Sequence, residues 1–206
     1  MTNNIGLIGG TFDPVHLGHL AIAEEARREL DLTEVILVPA GQPYFKPLAC
    51  ISPAKHRVNM LKLAIQGKPY FKVSLMEIKR SGPTYTIDTI SKFKGQLRLG
   101  DEIFFIMGWD SLLTLYRWQQ PERLISLCRI AAAPRPDYPN PDFNQLEKDL
   151  PGISERTVML HNPLIDISAS KIRERVSHDL PIDDMVPAAV ARYIREHGLY
   201  RENPIS

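Results

Sequence analysis

Apolar residues fall along this chain in two rhythms, short unbroken runs and longer stretches where they recur every three or four positions. Runs at 4–8, 35–39, 71–76, 102–107, 128–133 and 157–160 predict strands, and several show no polar alternation. Strands apolar on both faces belong in a parallel sheet covered by helices on each side. The three-to-four rhythm predicts helices over 17–30, 53–66, 85–94, 170–177 and 187–197. Ser52-Pro53 reads as an N-cap followed by proline in the first helical position, and Gly67 as the closing residue of that helix. Asp183 and Asp184 precede the last predicted helix, while Arg195 and His197 occupy its final turn before Gly198, as the helix dipole favours. Strand and helix alternate throughout. The expected architecture is therefore α/β, a doubly wound parallel sheet with flanking helices that binds ligands beyond the carboxyl ends of its strands.

Composition narrows the class. With 206 residues, 44% hydrophobic and 24% charged, the chain suits a single domain (1–206) able to bury its own core. A formal net charge of +1 removes the bulk-electrostatic argument for nucleic acid, while a local basic cleft for a small anion remains open. Cys50 and Cys128 show no C-x-x-C spacing, so neither a disulfide framework nor a thiolate zinc site is expected. No basic leader is visible at the start, and no apolar run approaches the ~20 residues of a membrane span. A reducing cytoplasm is the expected location, with no membrane partner and homo-oligomerisation left open. The proline-rich stretches 39–53 and 134–141 each follow a predicted strand and read as loops at the rim where such a sheet takes its ligand.

The chemistry concentrates in GGTFDPVHLGH, residues 9–19. Gly9 and Gly10 stand where the first strand ends, allowing a sharp turn and a close approach to a ligand. Backbone N–H groups at the following helix start would face outward as a phosphate site. His16 and His19, three residues apart, can turn their imidazoles to one side and donate to phosphate oxygens. A lone histidine would more often be packing, but two at this spacing behind glycines favour the anion site. A zinc site is the weaker reading, since no third ligand stands at a telling spacing. Neither G-x-x-x-x-G-K-S/T nor G-x-G-x-x-G occurs, which argues against P-loop and standard dinucleotide-dependent enzymes. In ISASKIR, residues 167–173, Ser168 or Ser170 can cap a helix that carries Arg173 one turn inside, giving a second candidate anion site.

These segments resemble a known family. GGTFDPVHLGH is similar to the H-x-G-H signature of nucleotidyltransferases, and ISASKIR to their I-S-S-T-x-I-R motif. RSGPTYTIDT (80–89), FIMGWDSL (105–112), Trp118 and the ending from Val186-Pro187 to Gly198-Leu199-Tyr200 narrow the resemblance to bacterial nicotinate mononucleotide adenylyltransferases. Two departures stand out. Where the family often has P-H-K after strand two, this chain has Tyr44-Phe45-Lys46, so only Lys46 carries over; Ala169-Ser170 replaces Ser-Thr and keeps one hydroxyl.

The resemblance implies a Rossmann-like fold and transfer of AMP from ATP to nicotinate mononucleotide, with Mg²⁺ accompanying the ATP and no metal held by protein ligands. It casts His16, His19, Lys46 and Arg173 as catalytic donors. Gly9, Gly10, Thr11, Phe12, Gly18, Gly108, Ser168 and Ser170 would bind ATP. Tyr85, Thr86, Asp110, Trp118 and Arg135 would bind substrate: Asp110 by accepting from a ribose hydroxyl, Arg135 as a weaker phosphate candidate, Trp118 by stacking on the pyridine, and main-chain N–H groups around Tyr85 and Thr86 by receiving its carboxylate. The rival readings are a nicotinamide mononucleotide or phosphopantetheine adenylyltransferase, a cytidylyltransferase, and a binding module without turnover. The YTIDT and GWDSL segments weigh against the phosphopantetheine and cytidylyl enzymes, and retention of the four donors against the binding module.

Overall fold

The computed structural model describes residues 3–42, 51–135, 138–161 and 166–201. Six strands, β1 (Asn4–Gly10), β2 (Glu34–Pro39), β3 (Phe71–Val73), β4 (Glu102–Gly108), β5 (Arg129–Ala133) and β6 (Thr157–Met159), form one sheet in the order β3-β2-β1-β4-β5-β6. Every neighbouring pair is parallel, with Leu7 of β1 between Ile36 of β2 and Phe105 of β4. Chain order reverses between β1 and β4, and in such sheets that junction is where a crevice opens beyond the strand ends.

The apolar runs are explained by a core on each face of the sheet. In β2, Val35 and Leu37 enter one core and Ile36 and Val38 the other. The first core is closed by α1 (Leu17–Glu29), α2 (Ala54–Ala64), α8 (Ala169–Ser177) and α9 (Ala188–Glu196), which contribute Ala23, Met60, Leu61, Ile172, Val190 and Ile194. The second is closed chiefly by α3 (Thr86–Lys94), α5 (Pro121–Leu127) and α6 (Phe143–Asp149), through Ile87, Ile90, Leu124, Ile125 and Leu146. Covered on both sides, the strands need no polar face. Gly6 is required by this packing, because a Cβ there would lie 2.8 Å from Leu32 Cδ1 and 3.0 Å from Ile106 Cδ1.

All six predicted strands and five predicted helices form, with shifted ends. The third strand stops at Val73 instead of Met76, since Leu75 onward turns back on itself with the Lys79 N–H bonded to the Leu75 carbonyl. Ser52 is not the cap of α2. Pro53 takes the cap position, and the Ser52 N–H donates to Asp13 Oδ2 at 2.9 Å. Gly67 does adopt positive φ, at 82°, beyond the helix end. Leu17 N–H, expected to face outward, donates to the Met185 carbonyl at 2.9 Å, so that one donor is committed to the segment that leads into α9. Missing from the sequence reading are α4 (Trp109–Leu112), a 3₁₀ turn (Leu115–Arg117), α5, α6 and α7 (Ile153–Arg156).

Candidate functional site

The carboxyl ends of β1, β2 and β4 floor a crevice divided into two cavities that share Gly9, Phe105 and Trp118. Gly9 divides them because it is low. A Cβ there would meet Phe105 only at an ordinary 3.6 Å, so the space above Gly9 belongs to the crevice and not to protein packing. Gly10 is different, since its Cβ would press within 3.3 Å of the Phe12 ring. Phe12 turns inward with φ at 51°, uncommon for a non-glycine residue, and its buried ring meets the His19 ring edge-on at 4.9 Å. Phe12 thus supports a histidine from beneath and does not itself floor either cavity.

The first cavity, of about 300 Å³, lies on the β2 side and is lined by Gly10, Thr11, Ala40, Glu77, Thr84, Tyr85, Thr86 and Trp118 among others. Tyr85 caps α3 and Thr86 is its first residue, and both line this wall, so the start of that helix, its positive end, faces the cavity. Trp118 stands partly exposed and meets Phe105 edge to face, 6.1 Å between centroids. Thr84 is clasped to the end of β2, its N–H and hydroxyl both donating to the Gln42 carbonyl at 3.1 Å. Gly41, next in the chain, lets the Glu77 backbone close in, because a Cβ there would fall 2.2 Å from the Glu77 carbonyl oxygen. Burial pushes the Glu77 carboxyl up, while hydroxyl donors, among them Thr89 at 2.7 Å, oppose the shift.

The second cavity, of about 330 Å³, lies over β4 and the start of α1, between His16, Gly18, His19, Gly108, Asp110, Arg135, Ser168 and Ser170. The two imidazoles are stacked, 3.6 Å between centroids. The His16 backbone N–H donates to His19 Nδ1 at 3.3 Å, which leaves the proton of a neutral His19 ring on Nε2. His16 is buried. Its desolvation, with the Arg135 charge adding to it, lowers the pKa from 6.5 to about 4, so the ring is neutral at pH 7. Its buried Nδ1 has no hydrogen-bond partner among the described residues. Arg135 donates to Asp110 Oδ2 at 2.6 Å, and Gly108 lets Asp110 fold close, since a Cβ there would lie 2.6 Å from Oδ1. Asp110 and Arg135, grouped by the sequence reading with Tyr85 and Thr86, therefore stand with the histidines. Ser168 caps α8 as expected, accepting from the Lys171 N–H at 3.2 Å.

Beside His19, a recess of about 100 Å³ lies between Thr11, Phe12, Asp13, Ile51, Ala169 and Arg173, so Phe12 lines this space and neither of the two larger cavities. Arg173 Nη1 donates to the Asp13 carbonyl at 2.7 Å and Nη2 to Ser170 Oγ at 3.3 Å, so part of the guanidinium fork is engaged by protein. Lys46 lies outside the described residues, as does Phe45. Of the side chains that shape the site, sequence reading missed Glu77, Asp13, Arg57 and Tyr200. Asp13 and Tyr200 lay inside recognised motifs, though without an assigned role, while Glu77 and Arg57 lay in none.

A parallel sheet with imidazoles, hydroxyls and guanidinium over its switch point, beside an aromatic-lined cavity, is the framework of a nucleotidyltransferase. The cytidylyltransferase-like family model matches residues 7–175, from β1 to within α8. More narrowly, the chain belongs to the nicotinate-nucleotide adenylyltransferase family. A Dehalococcoides mccartyi protein named "probable nicotinate-nucleotide adenylyltransferase" is 51% identical over 95% of this chain and 96% of its own length. One of the same name from Thermomicrobium roseum is 41% identical over 97% and 92%. Among solved structures, the Plasmodium falciparum nicotinic acid mononucleotide adenylyltransferase complexed with NaAD superposes with a TM-score of 0.77, covering 96% of this chain and 97% of that one. At 20% identity that likeness bears on the fold alone.

Proposed function

We propose that the chain, acting as one domain, transfers AMP from ATP to nicotinate mononucleotide, releasing pyrophosphate and forming nicotinate adenine dinucleotide. The observation that carries this reading is the pair of cavities joined at Gly9, Phe105 and Trp118, one suited to an anionic aromatic ring and the other to a nucleotide and its phosphates. A dinucleotide laid across the β1–β4 junction would fill both.

The chemistry asks little of any single residue. A phosphate oxygen of the mononucleotide attacks the α-phosphorus of ATP, a P–O bond forms, and the bond to the departing pyrophosphate breaks. The attacking oxygen is already ionised, so alignment and charge stabilisation carry the rate. In this reading His19 Nε2–H and the neutral His16 ring donate to phosphate oxygens, Arg173 and Lys46 supply positive charge, and the low floor at Gly9 and Gly10 lets the two polyanions meet. Ser168, Ser170, Gly18 and Gly108 line the ATP side, with Asp110 accepting from a ribose hydroxyl while Arg135 holds it. On the other side Trp118 stacks on the pyridine, and the first N–H groups of α3 around Tyr85 and Thr86 receive the carboxylate. N–H donors at that wall suit the carboxylate of nicotinate and would leave the NH₂ of nicotinamide facing other donors there.

Among the described residues no three His, Cys, Asp or Glu side chains converge as a metal cage. The donor set complements phosphate, and Mg²⁺ is proposed to enter on the triphosphate of ATP, where it neutralises charge on the leaving group. None of the described helices is long and apolar enough to cross a membrane. Burial pushes the Cys128 thiol up to about 12, which suits an inert core cysteine in a cytoplasmic enzyme. The test is product analysis. Incubation of the protein with ATP, Mg²⁺ and nicotinate mononucleotide should yield nicotinate adenine dinucleotide and an equal amount of pyrophosphate; pyrophosphate without dinucleotide, or neither, would defeat the reading.

A further inference from the structure

Asp13 is 3% exposed and lies between the two histidines' loop and three distant parts of the chain. Its Oδ1 accepts from the Tyr200 hydroxyl at 2.6 Å, its Oδ2 from the Ser52 N–H at 2.9 Å, and its backbone carbonyl from Arg173 Nη1 at 2.7 Å. Arg57, 2% exposed, completes the frame, with Nε donating to the Ser52 carbonyl at 3.0 Å and Nη1 to the Thr11 carbonyl at 2.9 Å. These contacts span 39, 160 and 187 residues of sequence from Asp13. Two opposite charges are thus buried together and supplied with directed hydrogen bonds, the arrangement in which a buried charge is tolerated.

We propose that Asp13 is a positioning residue and that the Tyr200 hydroxyl, near the end of the chain, sets it. The inference rests on the adenylyl-transfer reading above. Asp13 touches none of the reacting atoms in that reading. It holds three things in one register: the Thr11–Asp13 backbone beneath His19, the entry of α2 at Ser52, and the guanidinium of Arg173. The Asp13 carbonyl orients Arg173 only while the carboxyl is pinned from behind, and Tyr200 and Ser52 pin it from opposite sides. Removing the Tyr200 hydroxyl leaves the ring packed against the core and frees the carboxylate on one side, so the loop gains a fraction of an ångström of play. Misplacement on that scale affects the aligned transition state more than the bound ground state.

Tyr200→Phe is the informative variant. It should lower kcat about tenfold, leave KM for both substrates within about twofold, and change Tm little, because the ring is retained. In an Arg173→Lys background the same change should add almost nothing, since the orientation it protects is already lost. Asp13→Asn, which reverses the hydrogen bond to the Tyr200 hydroxyl if the Ser52 N–H is to stay paired and leaves the buried Arg57 without its opposite charge, should cost about a hundredfold. Amide hydrogen exchange across residues 10–17 supplies a readout independent of turnover, and Tyr200→Phe should quicken it about tenfold while α5 is unchanged. Unchanged exchange, or a kcat loss that adds fully to that of Arg173→Lys, would overturn the proposal. If the wild type makes no dinucleotide, the adenylyl-transfer reading fails on its own, and the exchange experiment still decides whether Tyr200 fixes this loop.

Discussion

The two cavities face each other across Gly9 yet are built by different means. The first is assembled from backbone and rings: the start of α3, the Gly41–Gln42 clasp on Thr84, and the Trp118–Phe105 pair. The second is assembled from polar side chains contributed by the β1–α1 loop, α4, the segment after β5 and the start of α8. A wall of N–H groups has fixed polarity and reads the substituent on a ring, whereas imidazoles and guanidinium groups meet charge that grows during reaction. Under the proposed function, selection falls to the first cavity and rate to the second, and this division can be attacked from either side.

The largest effect is expected at His19. Its Nε2 faces the reaction in this account and its ring rests on Phe12, so His19→Ala should reduce kcat by about 10²–10³-fold with Tm almost unchanged. Steady-state kinetics and a thermal melt on the same preparation check this, and near-normal turnover would remove the rate role from the second cavity. Arg173→Lys comes next. One arm of the guanidinium is held by Asp13 and another by Ser170, and an ammonium cannot span both and still present a donor to phosphate, so a loss of about 10–10²-fold in kcat/KM for ATP is expected. Trp118→Ala should raise KM for the mononucleotide by about tenfold through lost stacking, with a smaller change for ATP. An effect confined to ATP would exchange the two cavities.

The smallest effect is on stability. His16 in the folded protein has a pKa of about 4 against 6.5 when exposed, so below pH 6.5 the unfolded chain binds the proton more readily and stability falls as pH drops toward 4. At pH 6 the loss is about 1 kcal/mol or less, and it grows through the rest of that window. Denaturant midpoints for wild type and His16→Gln between pH 7 and 4 should diverge, the variant having the shallower slope across this window. Parallel curves would mean that the ring is not held neutral by burial.

How much of this was legible depends on distance along the chain. The strands were readable because β2 after Glu34 and β4 after Glu102 run apolar without a break, and both faces prove to be covered. The short helices α4 to α7 were not, since segments of four to seven residues hold too few turns to show a period, although Pro121-Glu122 marks a helix start. His16, His19, Tyr85, Thr86 and Trp118 were found because motifs carry them. Arg57 was not, because an arginine amid a helix of mixed polarity reads as a solvated charge, and nothing local reveals its burial beside Asp13. The Asp110–Arg135 pair bridges 25 residues, so nothing local in the sequence shows that the two side chains meet beside the histidines.

The central claim is that N–H groups at the start of α3 select the mononucleotide, and its most direct test is the ratio of kcat/KM for nicotinate and nicotinamide mononucleotides at saturating ATP. A carboxylate gains charge-assisted hydrogen bonds there and an amide leaves a donor facing donors, so the account predicts a preference for nicotinate of about 10²-fold or more. Equal values, or a preference for the amide, would contradict it.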